Sequence, residues 1–307
     1  MKYAIVDLGS NTVRLSLYNI LSDGSFSLLF SEKEMVGLNN YIVDRTLSKA
    51  GIQRACQVLD NFRGLLLQFG ISQMQVFATA SLRNIRNTEE AVAAIKRTVG
   101  VDVEVISGAM EAELGYYGAI RDLNMENGVV FDIGGGSMEL TEIQGGAVAK
   151  AQSIPIGSLE LFNRHVKKIW PKKQELEEIR ADVEQTMEKL KLPKEETPLV
   201  CGVGGTARAV LKIANTLLGK LDTNRSLTME EFSGVCQCLL ARKAAARDVI
   251  LKVCPDRLHT ILPGVVLMEQ VCTVLNCKVL YISPYGVREG YVYRNLPKQK
   301  QLGDGQA

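Results

Sequence analysis

Two stretches of the chain set acids beside glycines in a way that could bind a charged ligand. In VVFDIGGGSMEL, residues 129–140, an apolar run ends at Asp132, three glycines and Ser137 follow, and Glu139 stands seven positions after the first acid. If the flanking runs are antiparallel strands joined at the glycines, Asp132 and Glu139 are cross-strand partners and share a face. Two facing carboxylates repel and raise each other's pKa, a cost that a divalent cation removes. Gly134, Gly135 and Gly136 let the backbone approach a ligand closely, and consecutive N–H groups make an anion-binding concavity. The Ser137 hydroxyl adds a donor. Such a turn can hold a metal and a phosphate together.

The chain opens with a similar run, AIVDLGSNTVRL, residues 4–15, in which Asp7 and Arg14 are again seven positions apart. With Arg in place of the second acid, this turn is expected to grip phosphate directly, Ser10 and Asn11 adding donors. Asp7 joins Asp132 and Glu139 as a third acid of the expected metal site. The plain alternative is two ordinary hairpins with glycine-containing turns.

A third glycine stretch, CGVGGTARAV at 201–210, follows a strand and opens a helix. Gly202, Gly204 and Ala207 fit a dinucleotide pattern, but the acid about twenty residues on, Asp222, lies in polar KLDTNRS rather than on a strand, so that unit fails. A helix N-terminus collaring phosphate or nucleotide through Gly205 and Thr206 remains open, as does simple strand-to-helix packing. Arg83, in TASLRN, follows a strand end, where open α/β sheets bind ligands, and could take a phosphate or serve the structure. Glu111 and Glu113 fall at the start of a predicted helix, where acids ordinarily stabilise the dipole. Arg164, Lys167, Lys168, Lys172 and Lys173 surround Trp170. A solvated helical face is the safer reading there, and a track for a polyanion the sharper one. His165 and His259 read as structural.

These candidates sit in a chain of 307 residues, long enough for about two domains. Hydrophobic residues make up 46% and charged residues 23%, as in ordinary globular proteins. A net charge of +2 argues against nucleic-acid or membrane partners. Asp7 and Arg14 interrupt any would-be signal core, so a cytoplasmic location is expected. The seven cysteines include no C-x-x-C pair and fit buried thiols in a reducing compartment. With only two histidines, a catalytic metal would be oxygen-ligated, most simply magnesium.

Period and punctuation predict strands at 3–8, 12–19 and 25–31, a helix over 46–69, a strand at 73–79, the helix TEEAVAAIKRTVG, a strand at 101–106 and a helix from about 109 to 122. Polar, turn-prone RDLNMENG (121–128) is the expected domain boundary, dividing the chain into 1–124 and 125–307. The pattern then restarts with strands at 128–132, 137–143 and 147–153, followed by helices, strands at 198–203 and 278–283, and a final helix. Thr228 and Glu231 form a capping box. Residues 297–307 read as a disordered tail. Repetition of strands followed by mixed strand and helix implies two α/β lobes of common plan around a cleft.

The ordered set DLGSNTVRL, TASLRN, SGAMEAELGYYGA, VVFDIGGGSMEL, GVGGTARAV, ILPG (261–264) and YGVREG (285–290) resembles the exopolyphosphatase / guanosine pentaphosphate phosphatase (Ppx/GppA) family, within the actin-like ATPase superfamily. The likeness runs from about residue 3 to 293. It implies two ribonuclease-H-like lobes around a central cleft, and magnesium-dependent hydrolysis of the terminal phosphoryl of polyphosphate or of guanosine pentaphosphate. The family's general base falls on Glu111, its acid pair on Asp132 and Glu139, and its strand-end arginine on Arg83. An alarmone inhibitor and a homodimer are partners compatible with the resemblance. The chain departs from many members at Ala109, Met110, Met138 and Glu160, and it lacks the C-terminal helical domain of longer ones, which favours short polyphosphate chains. The rivals are a kinase of the same superfamily and a non-catalytic sensor of guanosine tetraphosphate.

Overall fold

The computed structural model describes residues 1–303 apart from 191, 193–196, 198 and 243. Its contacts divide the chain into two compact units, Met1–Gly108 joined by the stretch from Asn295, and Ala109–Arg294.

In the first unit the strands are β1 (Lys2–Leu8), β2 (Thr12–Ile20), β3 (Phe26–Met35), a small β4–β5 ladder (Ile42–Val43 and Thr46–Leu47), β6 (Gln75–Ala78) and β7 (Val103–Val105). The helices are α1 (Lys49–Gln68), α2 (Ala80–Arg83) and α3 (Thr88–Val99). The expected helix over 46–69 starts late because residues 46–47 pair as a strand. Ser48 then caps α1, its hydroxyl accepting the Gly51 N–H at 3.2 Å. α3 carries Glu89 and Glu90 in its first turn, Lys96 and Arg97 in its last, and ends at Gly100 in the left-handed conformation. The sheet order is β3-β2-β1-β6-β7, antiparallel across β1, β2 and β3 and parallel across β1, β6 and β7. Val6, Leu8, Val13, Leu15, Val76 and Val103 turn one face of this sheet into the core with Ile52, Leu59 and Phe62 of α1.

The second unit repeats the plan. It contains α4 (Gly108–Ala119), β8 (Gly128–Ile133), β9 (Met138–Gln144), β10 (Ala147–Ile154), α5 (Ser158–His165), α6 (Lys173–Glu188) and β11 (Leu199–Val203). Then come α7 (Gly204–Leu218), β12 (Ser226–Thr228), α8 (Met229–Leu240), α9 (Ala244–Val253), α10 (Ile261–Val274), β13 (Val279–Ile282) and α11 (Val287–Gly303), whose residues from Asn295 on belong to the first unit. Its sheet runs β10-β9-β8-β11-β13 with the same directions, and β12 adds an antiparallel edge. Two sheets of one order and one set of directions make the fold α/β, with two lobes of ribonuclease-H-like plan.

β8 is apolar on both faces because both are covered. Val129, Phe131 and Ile133 face the larger core with Val210, Leu262 and Val266. Val130 faces the other way, with Tyr116 and Ala119 of α4 and Met125. That packing joins α4 to the second sheet, whereas the sequence-based division at 124 assigned it to the first lobe. The polar segment 121–128 is likewise tied to the second sheet, since Asp122 accepts the Tyr281 and Ser283 hydroxyls at 2.8 and 2.9 Å. The expected capping box forms, with Glu231 N–H to Thr228 Oγ1 at 3.2 Å and Thr228 N–H to Glu231 Oε2 at 3.0 Å. The last helix runs on to Gly303, into the tail expected to be disordered; residues 304–307 lie outside the described residues. No helix among the described residues is long and apolar enough to cross a membrane.

Candidate active site

The second glycine turn is assembled as its spacing predicts. β8 and β9 pair antiparallel with Asp132 opposite Glu139 and Ile133 opposite Met138. Val203 of β11 and Ser153 of β10 extend the same row. Glu139 is only 2% exposed, and its Oε1 accepts the Ser153 hydroxyl at 2.7 Å. Residues two apart on a strand share a face, so Thr141 lies on the same side as Glu139. Its buried hydroxyl donates to the Ala112 carbonyl at 2.8 Å. That bond pins the first turn of α4 over the acid end of the sheet, while Tyr116 and Ala119 cover Val130 and Ile143 further along. Glu111, 9% exposed, immediately precedes the pinned residue. Asp132 and Glu139 thus share one face of the sheet, and Glu111 stands on the helix packed over that face.

The turn itself is clamped from below. Ser158 donates its N–H and its hydroxyl to the Gly134 carbonyl at 2.9 and 3.1 Å, and the Leu159 and Glu160 N–H groups reach the Gly135 carbonyl at 3.0 and 2.9 Å. The approach needs a glycine at 157, where a Cβ would come within 2.4 Å of the Gly135 oxygen. Ser137 is buried, and its carbonyl accepts the Gly134 N–H at 2.9 Å. The helix start therefore fixes the shape of Gly134–Gly136 before any ligand arrives.

Asp132 reaches across to the start of α7. A Cβ on Gly204, which has φ +78°, would stand 1.9 Å from Asp132 Oδ1, so the left-handed backbone and the missing side chain are both required. Burial pushes the Asp132 carboxyl up from its ordinary value, and the guanidinium groups of Arg208, Arg257 and Arg288 pull it down without offsetting the burial. Arg257 lies against Gly205, where a Cβ would be 2.1 Å from its Nη2. Gly205 thus makes room for a cation. Thr206 is buried with its hydroxyl donating to the Ile133 carbonyl at 2.8 Å, which ties α7 to β8.

Those three arginines escaped the sequence reading. Arg208 and Arg288 stand inside GVGGTARAV and YGVREG, but their neighbours drew the attention. Arg257 occupies a single short turn, Pro255–Arg257, whose pattern carries no signal. Arg288 is set by the start of α11, where the buried Glu289 carboxylate accepts the Gly286 N–H at 2.9 Å.

In the first unit the expected pair also forms: Asp7 lies opposite Arg14, and Arg14 opposite Lys33. Arg14 is half-buried and donates to the Ser31 hydroxyl at 3.2 Å, so one of its donors serves the sheet. Ser10 is buried and its carbonyl accepts the Asn39 N–H at 3.2 Å. The Asn11 carbonyl takes two N–H groups, from Val36 and Gly37, each at 2.9 Å. Arg83 ends α2 and donates to the Ile106 carbonyl at 3.3 Å. The Ser81 hydroxyl donates to the Leu8 carbonyl, joining that helix to β1.

Several of the remaining candidates make structural contacts. Arg164 forms ion pairs with Asp182 at 2.5 Å and Glu160 at 3.0 Å, and His165 Nε2 meets the same Asp182 oxygen at 2.9 Å. Glu175 accepts the Lys172 and Lys167 N–H groups, and these bonds hold its carboxyl below the ordinary value. His259 packs edge-on to Phe162 at 5.3 Å, with burial, then Arg257, lowering its pKa. All seven cysteines are free thiols and six are buried, as expected.

Two facing acids beside a glycine turn, with three arginines acting on Asp132, thus stand on a duplicated α/β scaffold. The chain belongs to the Ppx/GppA phosphatase family, whose model matches residues 20–299, and it is a hydrolase of that class. Exopolyphosphatase 1 of Mycobacterium tuberculosis is 24% identical over 309 residues, covering 97% of this chain and 89% of the relative. The crystal structure of the Aquifex aeolicus Ppx/GppA family member is 25% identical with a TM-score of 0.80, covering 97% and 98% of the two chains. That of an exopolyphosphatase from Cytophaga hutchinsonii shares the fold, with a TM-score of 0.83 at 24% identity, covering 97% and 98%.

Proposed function

We propose that the protein is an exopolyphosphatase that hydrolyses the terminal phosphoryl of inorganic polyphosphate with magnesium. The supporting observation is the shared face of Asp132 and Glu139, covered by the helix that carries Glu111, with three guanidinium groups acting on Asp132. Acids alone would repel a polyanion, and arginines alone would bind it without activating water. Both together suit attack by water on a phosphorus whose oxygens are neutralised.

The donor set fits magnesium. Asp132 and Glu139 are hard oxygen ligands facing each other, and burial makes the charge on Asp132 costly until a cation neutralises it. No group of three or more His, Cys, Asp or Glu residues among the described residues forms a ready-made cage. Magnesium is commonly held by one or two carboxylates with substrate phosphates completing its shell. Asp132 and Glu139 would hold it, and it would supply neutralisation of the phosphate charge. In this reading Glu111 orients the water and takes its proton. Arg208, Arg257 and Arg288 balance charge on the phosphoryl oxygens. The turn at Gly134, Gly135, Gly136 and Ser137 and the N–H groups at Gly205 and Thr206 offer donors to the anion. Ser10, Asn11, Arg14 and Arg83 are proposed as further phosphate ligands.

The test is phosphate release from tripolyphosphate, long polyphosphate, guanosine pentaphosphate and ATP, with and without magnesium. Release from polyphosphate that a chelator stops supports the proposal. Release from guanosine pentaphosphate alone would move the substrate to that nucleotide. Transfer to an acceptor without free phosphate would replace it with a kinase, and inertness towards all four would leave a binding protein.

A further inference from the structure

Two thiols that the proposed reaction does not use meet where α10 ends. Asn276 follows the helix in the left-handed conformation, with φ 45°. Its N–H reaches the Thr273 carbonyl at 3.1 Å, and the Cys277 N–H reaches the Cys272 carbonyl at 3.0 Å. These two bonds make a Schellman motif, in which side chains at the places of Cys272 and Cys277 commonly pack together. Here they do, with the Cys272 thiol donating to the Cys277 sulfur. The backbone bond between the same two residues keeps their α-carbons close, as a disulfide requires.

The two sulfurs are not equivalent. Cys272 is fully buried, whereas Cys277 keeps 5% exposure and has the N–H groups of Val200 and Val279 against its sulfur. The bond from Cys272 holds the Cys277 thiol below its ordinary value; burial opposes it, and the two N–H groups add to it. The same bond, and then burial, raises Cys272. Burial also pushes up the thiols of Cys56, Cys201, Cys236 and Cys254. Cys277 is therefore the one buried cysteine whose thiolate the fold favours.

Any two small apolar side chains would fill the motif. Packing alone gives no reason for three donors to converge on one sulfur. The thiolate is the reactive form of cysteine, and a sulfur disposed to ionise beside a second thiol is how redox-sensing pairs are built. Hydrogen peroxide is small enough to reach a sulfur that is still partly exposed.

We propose that Cys272 and Cys277 are a peroxide-responsive pair that closes reversibly to a disulfide. The Cys277 thiolate attacks one oxygen of hydrogen peroxide and the O–O bond breaks. Cys277 becomes a sulfenic acid, and the departing hydroxide takes up the proton that Cys277 had lost. The Cys272 sulfur then gives up its proton and attacks the Cys277 sulfur, so that the S–S bond forms and the S–O bond breaks. The second hydroxide leaves with that proton as water. Two thiols are oxidised and one peroxide is reduced to two waters. Cys272 thereby keeps Cys277 from the irreversible acids further along the oxidation series. Transient disulfides of this kind occur in reducing compartments, and the inference does not depend on the hydrolase reading.

Treatment of the folded full chain with hydrogen peroxide, followed by thiol counting and mass mapping, tests this. Cys238→Ser removes the exposed thiol and leaves six. Trypsin cuts after Arg257 and Lys278, so Cys272 and Cys277 leave in one peptide that holds no other cysteine. In that background two thiols should disappear, the peptide becoming lighter by two hydrogen atoms, and a thiol reductant should restore both. Cys272→Ala should leave a sulfenic acid on Cys277 that dimedone captures, and Cys277→Ala should leave Cys272 unreacted. The chain with both cysteines in place decides the matter even where an alanine variant fails to fold. Six intact thiols after peroxide would overturn the proposal. So would a cross-link from Cys272 to Cys236, or an oxidised Cys277 that the reductant does not restore while Cys272 is present.

Discussion

The first sheet carries Phe77, Asp7, Arg14 and Lys33 across neighbouring strands, and the second carries Val203, Asp132, Glu139 and Ser153 at the matching places. Strand order and turn position agree; charge does not. In the first row one acid faces two bases drawn from the sheet itself. In the second, two acids stand together, Glu139 backed by a hydroxyl and Asp132 by arginines brought from α7, the Pro255–Arg257 turn and α11. A repeated scaffold fixes where side chains stand and leaves their charge open. The first row carries two bases of its own, whereas the second draws its cations from elsewhere.

The largest contrast should come from removing the matching acids. Asp132→Asn is expected to cut phosphate release by roughly a hundredfold or more, the scale of losing a main electrostatic element of a site, and Asp7→Asn by less. Equal losses would break the comparison. Stability should move the other way. A carboxyl pushed up by burial keeps its proton to higher pH in the folded than in the unfolded chain. The stability linked to that proton is full below the ordinary aspartate range and lost as pH climbs through the raised value. At pH about 8, well above the ordinary carboxylate range, Asp132→Asn should therefore melt no lower than the parent. A lower melting temperature would mean that the ionised carboxylate is better paired than the geometry indicates.

Gly204→Ala sharpens the same point through the backbone. With φ at +78° and Asp132 Oδ1 1.9 Å from the added Cβ, it should cost about 1–3 kcal/mol of stability. Thermal unfolding checks this, and an unchanged melting temperature would contradict the close approach. Smaller still, Arg14→Ala removes a hydrogen bond to Ser31 and should cost about 0.5–1.5 kcal/mol in urea unfolding, while raising KM if the arginine binds substrate. Away from both rows, Asp182 sets the acid limit. Burial raises its carboxyl, but the bonds from His165 and Arg164 outweigh it and the net shift is downward. Its contribution is present above the ordinary aspartate range and lost as pH falls through the lowered value. Asp182→Asn should flatten the decline of melting temperature in acid; an unaltered acid limb would show that this cluster contributes little.

What could be read from the sequence was what local rules determine. Seven-residue spacing about a glycine turn fixed the Asp132–Glu139 and Asp7–Arg14 pairings, because antiparallel register allows no other partner once the turn is set. The Thr228–Glu231 cap was legible for the same reason. Arg257 was not, since only tertiary folding brings a residue of an irregular turn against Gly205, more than fifty positions earlier. The placement of α4 was misjudged because polar RDLNMENG resembles a linker, and only the Asp122 bonds to Tyr281 and Ser283 show it anchored. Thr206, read as a phosphate donor, has its hydroxyl bound to the Ile133 carbonyl, a partner no spacing could reveal.

The account rests on the acid face of the second sheet as the reacting centre, with Glu111 handling the proton. Glu111→Gln keeps the size and hydrogen-bonding ability of that side chain and removes its basicity. Steady-state hydrolysis of tripolyphosphate, paired with calorimetric binding of the same substrate, should show kcat lowered by about 10²–10⁴-fold, the usual worth of a general base, and affinity nearly unchanged. A variant that turns over at the parent's rate, or loses affinity and rate together, would contradict the assignment.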